Sequence, residues 1–504
     1  MLVVLAGCSK TTARSDGAAD AGIDRDGAPR DGAIELDAAS DDAAGDRDGE
    51  GGAPSGDGPL VLRGGEYMGM PERFNRYYTD RAYTSSREIF VSPAGGGDGT
   101  RATPSSPADA FARAAAGDRI TFLAGTYAGC YELDSDHFGT YDAPIVLYAE
   151  RNPDGTRAVR IDCCATGRRT CINLEAAHYV AVDGFELVGG RYGVRAVGAD
   201  YDAPNHQRGV TVLNVDAYGQ SNDPFLTGAS DWAVFEKNLA HDVGNADGHG
   251  IYLSNGGDWN VVRWNETWAT SSSDFQINAD PQSTCADVGI DFDDPRCDGA
   301  AADGLGQGVS EHMTIDGNYF HHSGAQGPNF TSVRRSLVRN NVFGFAARHG
   351  TSFWQETDNP DLGSSDNVIV HNLFIGTNGR ELLQFIVMSD RNQVRNNVVA
   401  GTMESTILIN VDGTTGANVY EANEYLGGRL EGRAIENDEF SDPFSTAHFA
   451  AWPSGTSGPA DPIAAFSPSA GAPFLDRGTL LPSAPLDRAG RARVAPVDLG
   501  PLER

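Results

Sequence analysis

The amino-acid sequence predicts an all-β solenoid, in which short strands wind into stacked coils. An asparagine recurs after short apolar segments at intervals of 24, 27, 53, 23, 31, 25 and 26 residues. A period of this size is typical of a repeat array. The chain also contains 62 glycines and only two lysines, which suits a protein rich in turns. The recurring residues are Asn214, Asn238, Asn265, Asn318, Asn341, Asn372, Asn397 and Asn423.

Each repeat contains three short extended segments separated by turn residues, for example GIYLS, NVVRWN and ETWA. Stacking the coils would place each asparagine above the next one. There its amide can bond both the neighbouring asparagines and the backbone of the turn. We therefore assign these asparagines to the fold and not to catalysis.

The first 86 residues are predicted to lie outside the solenoid. Residues 1–8 end in LAGC, which resembles the lipobox of bacterial lipoproteins and implies that Cys8 is lipidated. Residues 9–60 hold 13 acidic and 5 basic side chains and no aromatic residue, so we expect a disordered acidic tether. Residues 61–86 form a connecting segment. The resemblance implies an exported protein of the outer membrane or cell surface, with the lipid as its membrane contact.

An N-terminal cap and the first coils are expected in residues 87–175. Ser106 is a good N-cap, Pro107 suits the first helical position, and Asp109 completes a capping-box spacing. A short helix at this point would cover the open end of the solenoid. Residues 176–427 are predicted to form the coils, with an insertion at 281–307, and residues 428–504 a final coil and a closing segment.

The segments at both ends point to a known architecture. FVSP, a Gly/Asp loop, an Ala-rich helix and GDRITFLAGTY resemble the N-terminal cap of right-handed parallel β-helix proteins of the pectate-lyase-like superfamily. The Pro/Gly-rich C-terminal segment is similar to the end of many secreted members. The resemblance covers residues 87–503 and implies an extracellular polysaccharide as partner. It specifies chemistry weakly, because this fold carries lyases, hydrolases, epimerases and adhesive proteins.

Six cysteines remain when Cys8 is set aside. An even number in an exported protein predicts disulfides, and Cys285 with Cys297 is the expected local pair. Metal ligation is the weaker alternative, since neither a CxxC pair nor a spaced histidine partner is present. The pairing of the other four remains open; they are Cys130, Cys163, Cys164 and Cys171.

The formal net charge of -32 argues against nucleic acid or an anionic membrane surface as a partner. Both of those partners require basic patches. A strongly acidic surface is compatible with a soluble extracellular chain, which we expect to be a monomer.

One face of the solenoid has the composition of a glycan-binding surface. Period-two alternation in GIYLS, DFQINAD, PNFTS, TSFWQE and LLQFIV gives two outward columns, which contain no Lys or Arg. Strands spaced by about 4.8 Å match the length of a sugar unit. Amide ladders on a solvent-facing sheet would give a similar pattern. The predicted substrate-binding residues are Tyr252, Gln276, Asn278, Asn329, Trp354 and Gln384.

Titratable residues concentrate beside this face. The resemblance implies a lyase in which a cation, often Ca²⁺, neutralises a uronate carboxylate while a basic side chain removes the C5 proton. Histidine can accept a proton near neutral pH. We therefore expect the base to be His249, His322 or His349, with Arg348 as a charge partner.

Three aspartates could supply calcium ligands or, in a hydrolase, the acid and base. They are Asp247, Asp274 and Asp280, of which Asp280 is the expected metal residue. The favoured function is cleavage of an acidic glycan by β-elimination. Glycoside hydrolysis by paired carboxylates and non-catalytic glycan binding or adhesion are the alternatives.

Overall fold

Three long parallel sheets make up the fold. The computed structural model describes residues 85–163, 170–202, 205–299, 306–432, 440–452 and 465–504. Two sheets have 12 strands and the third has 11, and successive strands of each sheet come from successive coils. The predicted parallel β-helix is confirmed. Cys8, the predicted tether at 9–60, Cys164 and nearly all of the connecting segment lie outside the described residues.

The strands of each sheet are given in order along the solenoid. Sheet 1 consists of Arg87–Val91, Asp118–Phe122, Ile145–Ala149, Val180–Asp183, Thr211–Leu213, Val234–Glu236, Val261–Arg263, Thr314–Asp316, Leu337–Arg339, Val368–Val370, Gln393–Arg395 and Val419–Glu421. Sheet 2 consists of Gly125–Ala128, Val159–Asp162, Glu186–Val188, Asp216–Tyr218, Leu239–His241, Glu266–Trp268, Tyr319–His321, Val342–Gly344, Leu373–Gly376, Val398–Gly401, Glu424–Leu426 and Phe440–Asp442. Sheet 3 consists of Tyr131–Leu133, Ile172–Glu175, Val194–Val197, Phe225–Gly228, Ile251–Ser254, Phe275–Asn278, Asn329–Thr331, Thr351–Trp354, Glu381–Phe385, Ile407–Val411 and Arg429–Gly432.

Short elements complete the described chain. Two small parallel sheets pair Gln207–Arg208 with Ser230–Asp231, and Ser310–Glu311 with Val333–Arg334. The α-helices are α1 (Pro107–Phe111), α2 (Pro281–Thr284) and α3 (Pro295–Asp298). The 3-10 helices are Ala286–Val288, Pro360–Leu362 and Thr446–His448. No helix in the described part of the chain is long and apolar enough to cross a membrane.

Helix α1 covers the N-terminal end of the core as predicted. Its N-cap Ser106 accepts a hydrogen bond from the Asp109 amide at 3.1 Å, and Pro107 occupies the first helical position. Phe111 is buried, and its ring lies 5.5 Å from the ring of Tyr131 in the first strand of sheet 3. The cap therefore shields apolar side chains that stacking alone would leave open.

The interior is filled by columns of like side chains. Period-two alternation predicts an inward set on the sheet 3 strands, and its members are all buried, with at most 1% of their surface exposed. The rings of Phe330 and Phe353 stack at 4.5 Å, and those of Phe353 and Phe385 at 5.1 Å. The inward set consists of Ile251, Leu253, Phe275, Ile277, Phe330, Phe353, Leu383 and Phe385.

A ladder of buried asparagines joins the coils between sheets 1 and 2. The Asn318 side chain donates to Asn341 Oδ1 at 2.9 Å and to the Val262 carbonyl at 2.8 Å. The Asn318 backbone amide also donates to Asn341 Oδ1, at 2.8 Å. The same stacking links seven of the eight predicted residues, namely Asn238, Asn265, Asn318, Asn341, Asn372, Asn397 and Asn423.

The prediction for Asn214 is wrong by one residue. The Val215 amide donates to Asn238 Oδ1 at 2.9 Å, so Val215 occupies the ladder position. Asn214 has a φ of 54° and matches the left-handed residue that precedes each ladder asparagine, such as Lys237. Its side chain is half-buried and donates to Asp183 at 3.3 Å.

A second ladder, which the sequence did not reveal, lies at the other end of the sheet 1 strands. Asn367 Nδ2 donates to Asn392 Oδ1 at 3.0 Å, and the Asn392 amide donates to Asn418 Oδ1 at 2.7 Å. In earlier coils this position holds Ser336 or an apolar residue such as Ala233. The mixture of residue types hides the period in the sequence.

The structure confirms the predicted local disulfide. Cys285 and Cys297 form a disulfide within the insertion. The sulfur atoms of Cys130 and Cys163 lie 2.7 Å apart at one corner of the first coils, and Cys163 and Cys171 are buried. The pairing within this second group stays open.

The closing segment packs on the outer faces of sheets 1 and 2. Phe449, Phe466 and Phe474 form an apolar cluster with Leu373 and Val398 of sheet 2. Leu481 and Ala484 pack with Leu337, Val368 and Val370 of sheet 1. The described closing residues thus cover two of the three sheets, while loops flank sheet 3.

Replacing one ladder residue should destabilise the solenoid far more than replacing Asn214. Asn341→Ala would leave the Asn318 amide and the Ile315 carbonyl without their buried partner. We expect a loss of about 3 kcal/mol for these groups, seen as a fall in melting temperature of several degrees. The matched Asn214→Ala variant should change it little. Equal falls in melting temperature in the two variants would contradict the stabilising role of the ladder.

Candidate functional site

The outer face of sheet 3 carries the predicted columns in register. Tyr252 pairs with Gln276, Gln276 with Asn329, Asn329 with Ser352, and Ser352 with Gln384. In the next column Asn278 pairs with Thr331 and Thr331 with Trp354. The predicted alignment of these strands is confirmed.

Hydrogen bonds run along this face. Trp354 Nε1 donates to Asn329 Oδ1 at 2.6 Å, Asn329 Nδ2 donates to Gln276 Oε1 at 3.3 Å, and Gln384 Nε2 donates to Ser352 Oγ at 3.2 Å. Asn329 and Gln384 are only 5% and 7% exposed, so their amides serve the sheet. The half-buried Tyr252, Gln276 and Trp354 keep accessible surface for a ligand.

The first column also contains a basic residue that the sequence alignment omitted. Arg195 pairs with Leu226, which pairs with Tyr252. Its guanidinium donates to Asn173 Oδ1 at 3.0 Å and forms an ion pair with Glu175. The absence of Lys and Arg therefore holds only for the five aligned strands, and the column continues to Arg195 in the Val194–Val197 strand, which was not aligned.

Two acidic residues, Asp280 and Glu356, contact Asn278 at the edge of sheet 3. Asn278 Nδ2 donates to Glu356 Oε1 at 3.3 Å, and Asn278 Oδ1 accepts from the Asp280 amide at 2.9 Å. Asp280 adopts a left-handed conformation with φ 51°, and its side chain caps α2 by accepting from the Ser283 amide at 3.2 Å. One side-chain amide thus links both acidic residues.

Glu356 was missed by reasoning from the sequence, although a signal was available. It follows Trp354 by two positions, just as Asp280 follows Asn278, and Asn278 and Trp354 lie in one column. Extending the strand alignment by two residues would have brought the two acids together.

The environment of this pair perturbs proton binding. Desolvation by the surrounding protein, followed by repulsion from Asp280, raises the pKa of Glu356 to about 7, although the residue keeps an exposed surface. The hydrogen bond from Asn278 opposes this shift. Desolvation and Asp280 also raise the pKa of Tyr252, whose hydroxyl bonds with Gln276. Tyr252, Asp280 and Glu356 therefore share one electrostatic environment.

His249 lies beside the face but is poorly placed to act as a base. It is 8% exposed, and its Nδ1 accepts a hydrogen bond from the Ser273 amide at 3.3 Å. Burial lowers the pKa of His249 to about 4, so the ring is neutral at pH 7 with its proton on Nε2. Its one accepting nitrogen is already occupied. The ring packs edge-on against Tyr252, with centroids 5.0 Å apart.

Asp274 and Asp247, two of the predicted aspartates, differ in burial. Asp274 is fully buried and accepts from Thr270 Oγ1 at 3.0 Å. Burial raises the pKa of Asp274 well above its ordinary value, which favours an uncharged side chain. Its position inside the coil keeps it from a ligand on the face. Asp247 is half-buried in a loop that joins sheets 2 and 3.

The remaining predicted residues lie in loops between sheets 2 and 3. His322 Nδ1 lies 2.7 Å from His321 Nδ1, and its ring stacks on Phe345, so it belongs to the sheet 2 side. His349 is 36% exposed, and its Nδ1 lies 2.8 Å from Glu381 Oε2. Arg348 beside it is exposed. If Nδ1–H donates to Glu381, His349 Nε2 is open to accept a proton.

The predicted residues therefore divide between two edges of sheet 3. Asp280 joins Glu356 in loops that lead from sheet 3 to sheet 1. Asp247, His322, Arg348 and His349 lie in loops that lead from sheet 2 to sheet 3. The polar columns run between these two groups.

The calcium site expected at Asp280 stays a prediction. Calcium takes 6–8 oxygen ligands in proteins. Within the described ranges, no group of three or more His, Cys, Asp or Glu residues is arranged to hold a metal ion. A nearby open recess is acidic but is lined by other residues, namely Asp291, Phe292, Asp293, Asp358, Asn359, Pro360 and Asp361.

One comparison with solved structures supports the architecture. No protein-family model matches the sequence, and a search of curated proteins gave no match either. The chain is similar to the crystal structure of pectate lyase Pel9A, with a TM-score of 0.55 and 14% identity over 84% of this chain and 97% of that one. A complex of XylC with xylose gives a TM-score of 0.49 and 11% identity over 82% and 98% of the chains. The first of these similarities supports the parallel β-helix fold.

The buried position of His249 predicts a specific acid sensitivity. Its folded-state pKa of about 4 lies below its ordinary value of 6.5, so the unfolded chain binds the proton more readily. Stability should fall as pH falls between these values, by an amount on the order of 3 kcal/mol from this residue.

Thermal melting between pH 7 and pH 4.5 checks this prediction. The His249→Gln variant should lose less stability over this range than the unmodified protein does. His137→Gln, at a half-buried position in the first coils, should keep the original dependence. An unchanged slope in His249→Gln would show that folding does not lower the pKa of this ring, which would contradict the prediction.

Proposed function

We propose that this chain is a carbohydrate-active enzyme that binds a glycan across the outer face of sheet 3 and hydrolyses a glycosidic bond. The observation that supports it is the pair of Asp280 and Glu356, linked through Asn278. Glycoside hydrolysis requires two carboxyl groups with different protonation states. Repulsion between the two acids favours this arrangement.

Glu356 is the proposed general acid. With a pKa of about 7 it keeps its proton on a large fraction of molecules at neutral pH. It would donate that proton to the glycosidic oxygen as the bond to the anomeric carbon breaks. Asp280 would act on the opposite side, either by activating water or by attacking the anomeric carbon. Water supplies the hydroxyl group of the new reducing end.

The surrounding surface suits an uncharged glycan. Tyr252, Gln276 and Trp354 present hydroxyl, amide and aromatic groups, which bind sugar hydroxyls and ring faces. Asp280 and Glu356 would repel a carboxylate-bearing sugar placed between them. This differs from the acidic substrate expected from the sequence.

β-Elimination is the second candidate, and a separate observation favours it. His349 contacts Glu381 through Nδ1, so that its Nε2 could remove the C5 proton of a uronate. The adjacent Arg348 could neutralise the uronate carboxylate. These residues lie at the opposite edge of sheet 3 from Asp280 and Glu356, so the two reactions would use different residues.

The proposed place of action is the bacterial surface. Lipidation of Cys8 would anchor the chain, and the acidic segment at 9–60 would give the solenoid reach toward an extracellular polysaccharide.

Replacing Glu356 should abolish hydrolysis. We expect Glu356→Gln and Asp280→Asn each to lower kcat by about 100-fold or more, measured as new reducing ends on a panel of neutral polysaccharides. The activity of the unmodified protein should fall as pH rises through about 7, because Glu356 then loses its proton. The matched Asp358→Asn variant, two residues further along the same loop, should keep its activity. Full activity in Glu356→Gln would refute the assignment.

The ultraviolet absorbance of unsaturated uronates distinguishes the two reactions. The proposed hydrolysis produces reducing ends without this absorbance. Its appearance on acidic glycans, together with its loss in His349→Gln, would instead establish the lyase. Retained glycan binding with neither product would show a binding protein.

A further inference from the structure

The insertion begins directly after Asp280, which makes the position of this carboxylate depend on the inserted loop. The backbone turns at Asp280 through a left-handed conformation and enters α2. The Thr284 amide and Thr284 Oγ1 both donate to the Asp280 carbonyl at 2.9 Å. Thr284 is fully buried, so these bonds hold Asp280 firmly against the first turn of the insertion.

The disulfide forms the centre of a small apolar core that joins two loops. Cys285 and Cys297 pack with Ile290, Val309 and Leu362, and all five are buried. Leu362 belongs to the loop that carries Glu356. The packing is tight, because a Cβ atom added at Gly308 would lie within 3 Å of both sulfur atoms.

Hydrogen bonds also connect the insertion with the loop that follows Trp354. Asn359 Nδ2 donates to the Phe292 carbonyl at 2.7 Å. Arg334 Nη1 donates to the Asp298 carbonyl at 2.6 Å and to the Asp361 carbonyl at 2.7 Å. Asn359 thus joins the loop after Trp354 directly to the insertion, and Arg334 bridges the two by donating to a carbonyl of each.

Glu356 lies in a segment of that loop that is held by internal hydrogen bonds. Gln355 Nε2 donates to the Asn359 carbonyl at 2.8 Å, and Thr357 Oγ1 donates to Gln355 Oε1 at 2.6 Å. The residues on both sides of Glu356 are therefore bonded to the part of the loop that contacts the insertion.

The carboxylates of Asp280 and Glu356 repel each other whenever both are ionised, and flexible loops would let them separate. We propose that the disulfide-pinned insertion is a positioning element, which holds Asp280 and Glu356 at the separation that glycoside hydrolysis needs. This inference rests on the proposed function and assigns Cys285, Cys297 and Asn359 as positioning residues. They act through the two carboxylates and need not touch the substrate.

Removing the disulfide tests the inference. In the Cys285→Ala/Cys297→Ala variant we expect kcat to fall by at least about 10-fold. The alkaline pKa of the kcat/KM profile should also move from about 7 toward the ordinary glutamate value of 4.5. Desolvation is the largest cause of the raised pKa of Glu356, followed by Asp280, while the hydrogen bond from Asn278 opposes the shift. Of the two charged or polar partners, only Asp280 adjoins the insertion and would be released in this variant.

Two further variants make the test decisive. Asn359→Ala keeps the disulfide and should shift the pH profile in the same direction by a smaller amount, so it also serves if the double variant does not fold. Asp294→Ala alters the exposed N-cap of α3 within the same insertion and should leave the profile unchanged.

The outcomes separate this inference from the proposed function. If Glu356→Gln remains active, the proposed function itself fails. If Glu356→Gln is inactive while the double variant and Asn359→Ala keep the original pH profile, the positioning inference alone is overturned. A lower yield of active protein with an unchanged profile would show a structural role only, which also overturns it.

Discussion

The buried asparagine ladder is the interaction on which the rest of the structure depends. Backbone groups at the buried turn between sheets 1 and 2 cannot form hydrogen bonds with water, so the asparagine side chains bind them instead. This arrangement recurs in every coil from Asn238 to Asn423. A slip by one residue would leave several buried polar groups without partners. The ladder therefore fixes the register of sheet 1 and, through the short connections, that of sheets 2 and 3.

This rigid register lets distant residues in the sequence form one site. Asn278 and Trp354 lie in one column, so the residues that follow them leave sheet 3 at the same edge. Asp280 and Glu356 meet there although 76 residues separate them in the chain. The register of sheet 3 therefore brings Asp280 and Glu356 to the same edge of the sheet. The insertion and the loop after Trp354 then determine how closely the two carboxylates face each other.

Periodicity predicted the solenoid, the inward phenylalanines and most of the first ladder, because these features repeat with the backbone. It failed at Asn214, where a one-residue offset placed Val215 in the ladder, and at the second ladder, where residue types vary. The site was harder to predict. Whether a loop turns inward is a tertiary property, so the sequence could not show that Asp274 is buried or that His249 already accepts a hydrogen bond.

The most direct test is a crystal structure of the Glu356→Gln variant with a bound oligosaccharide from a polysaccharide that the unmodified protein cleaves. The account predicts that the glycan crosses Tyr252 and Gln276, with a glycosidic oxygen about 3 Å from the side chain at position 356 and the anomeric carbon facing Asp280. A scissile bond lying instead over His349 and Arg348 would contradict it.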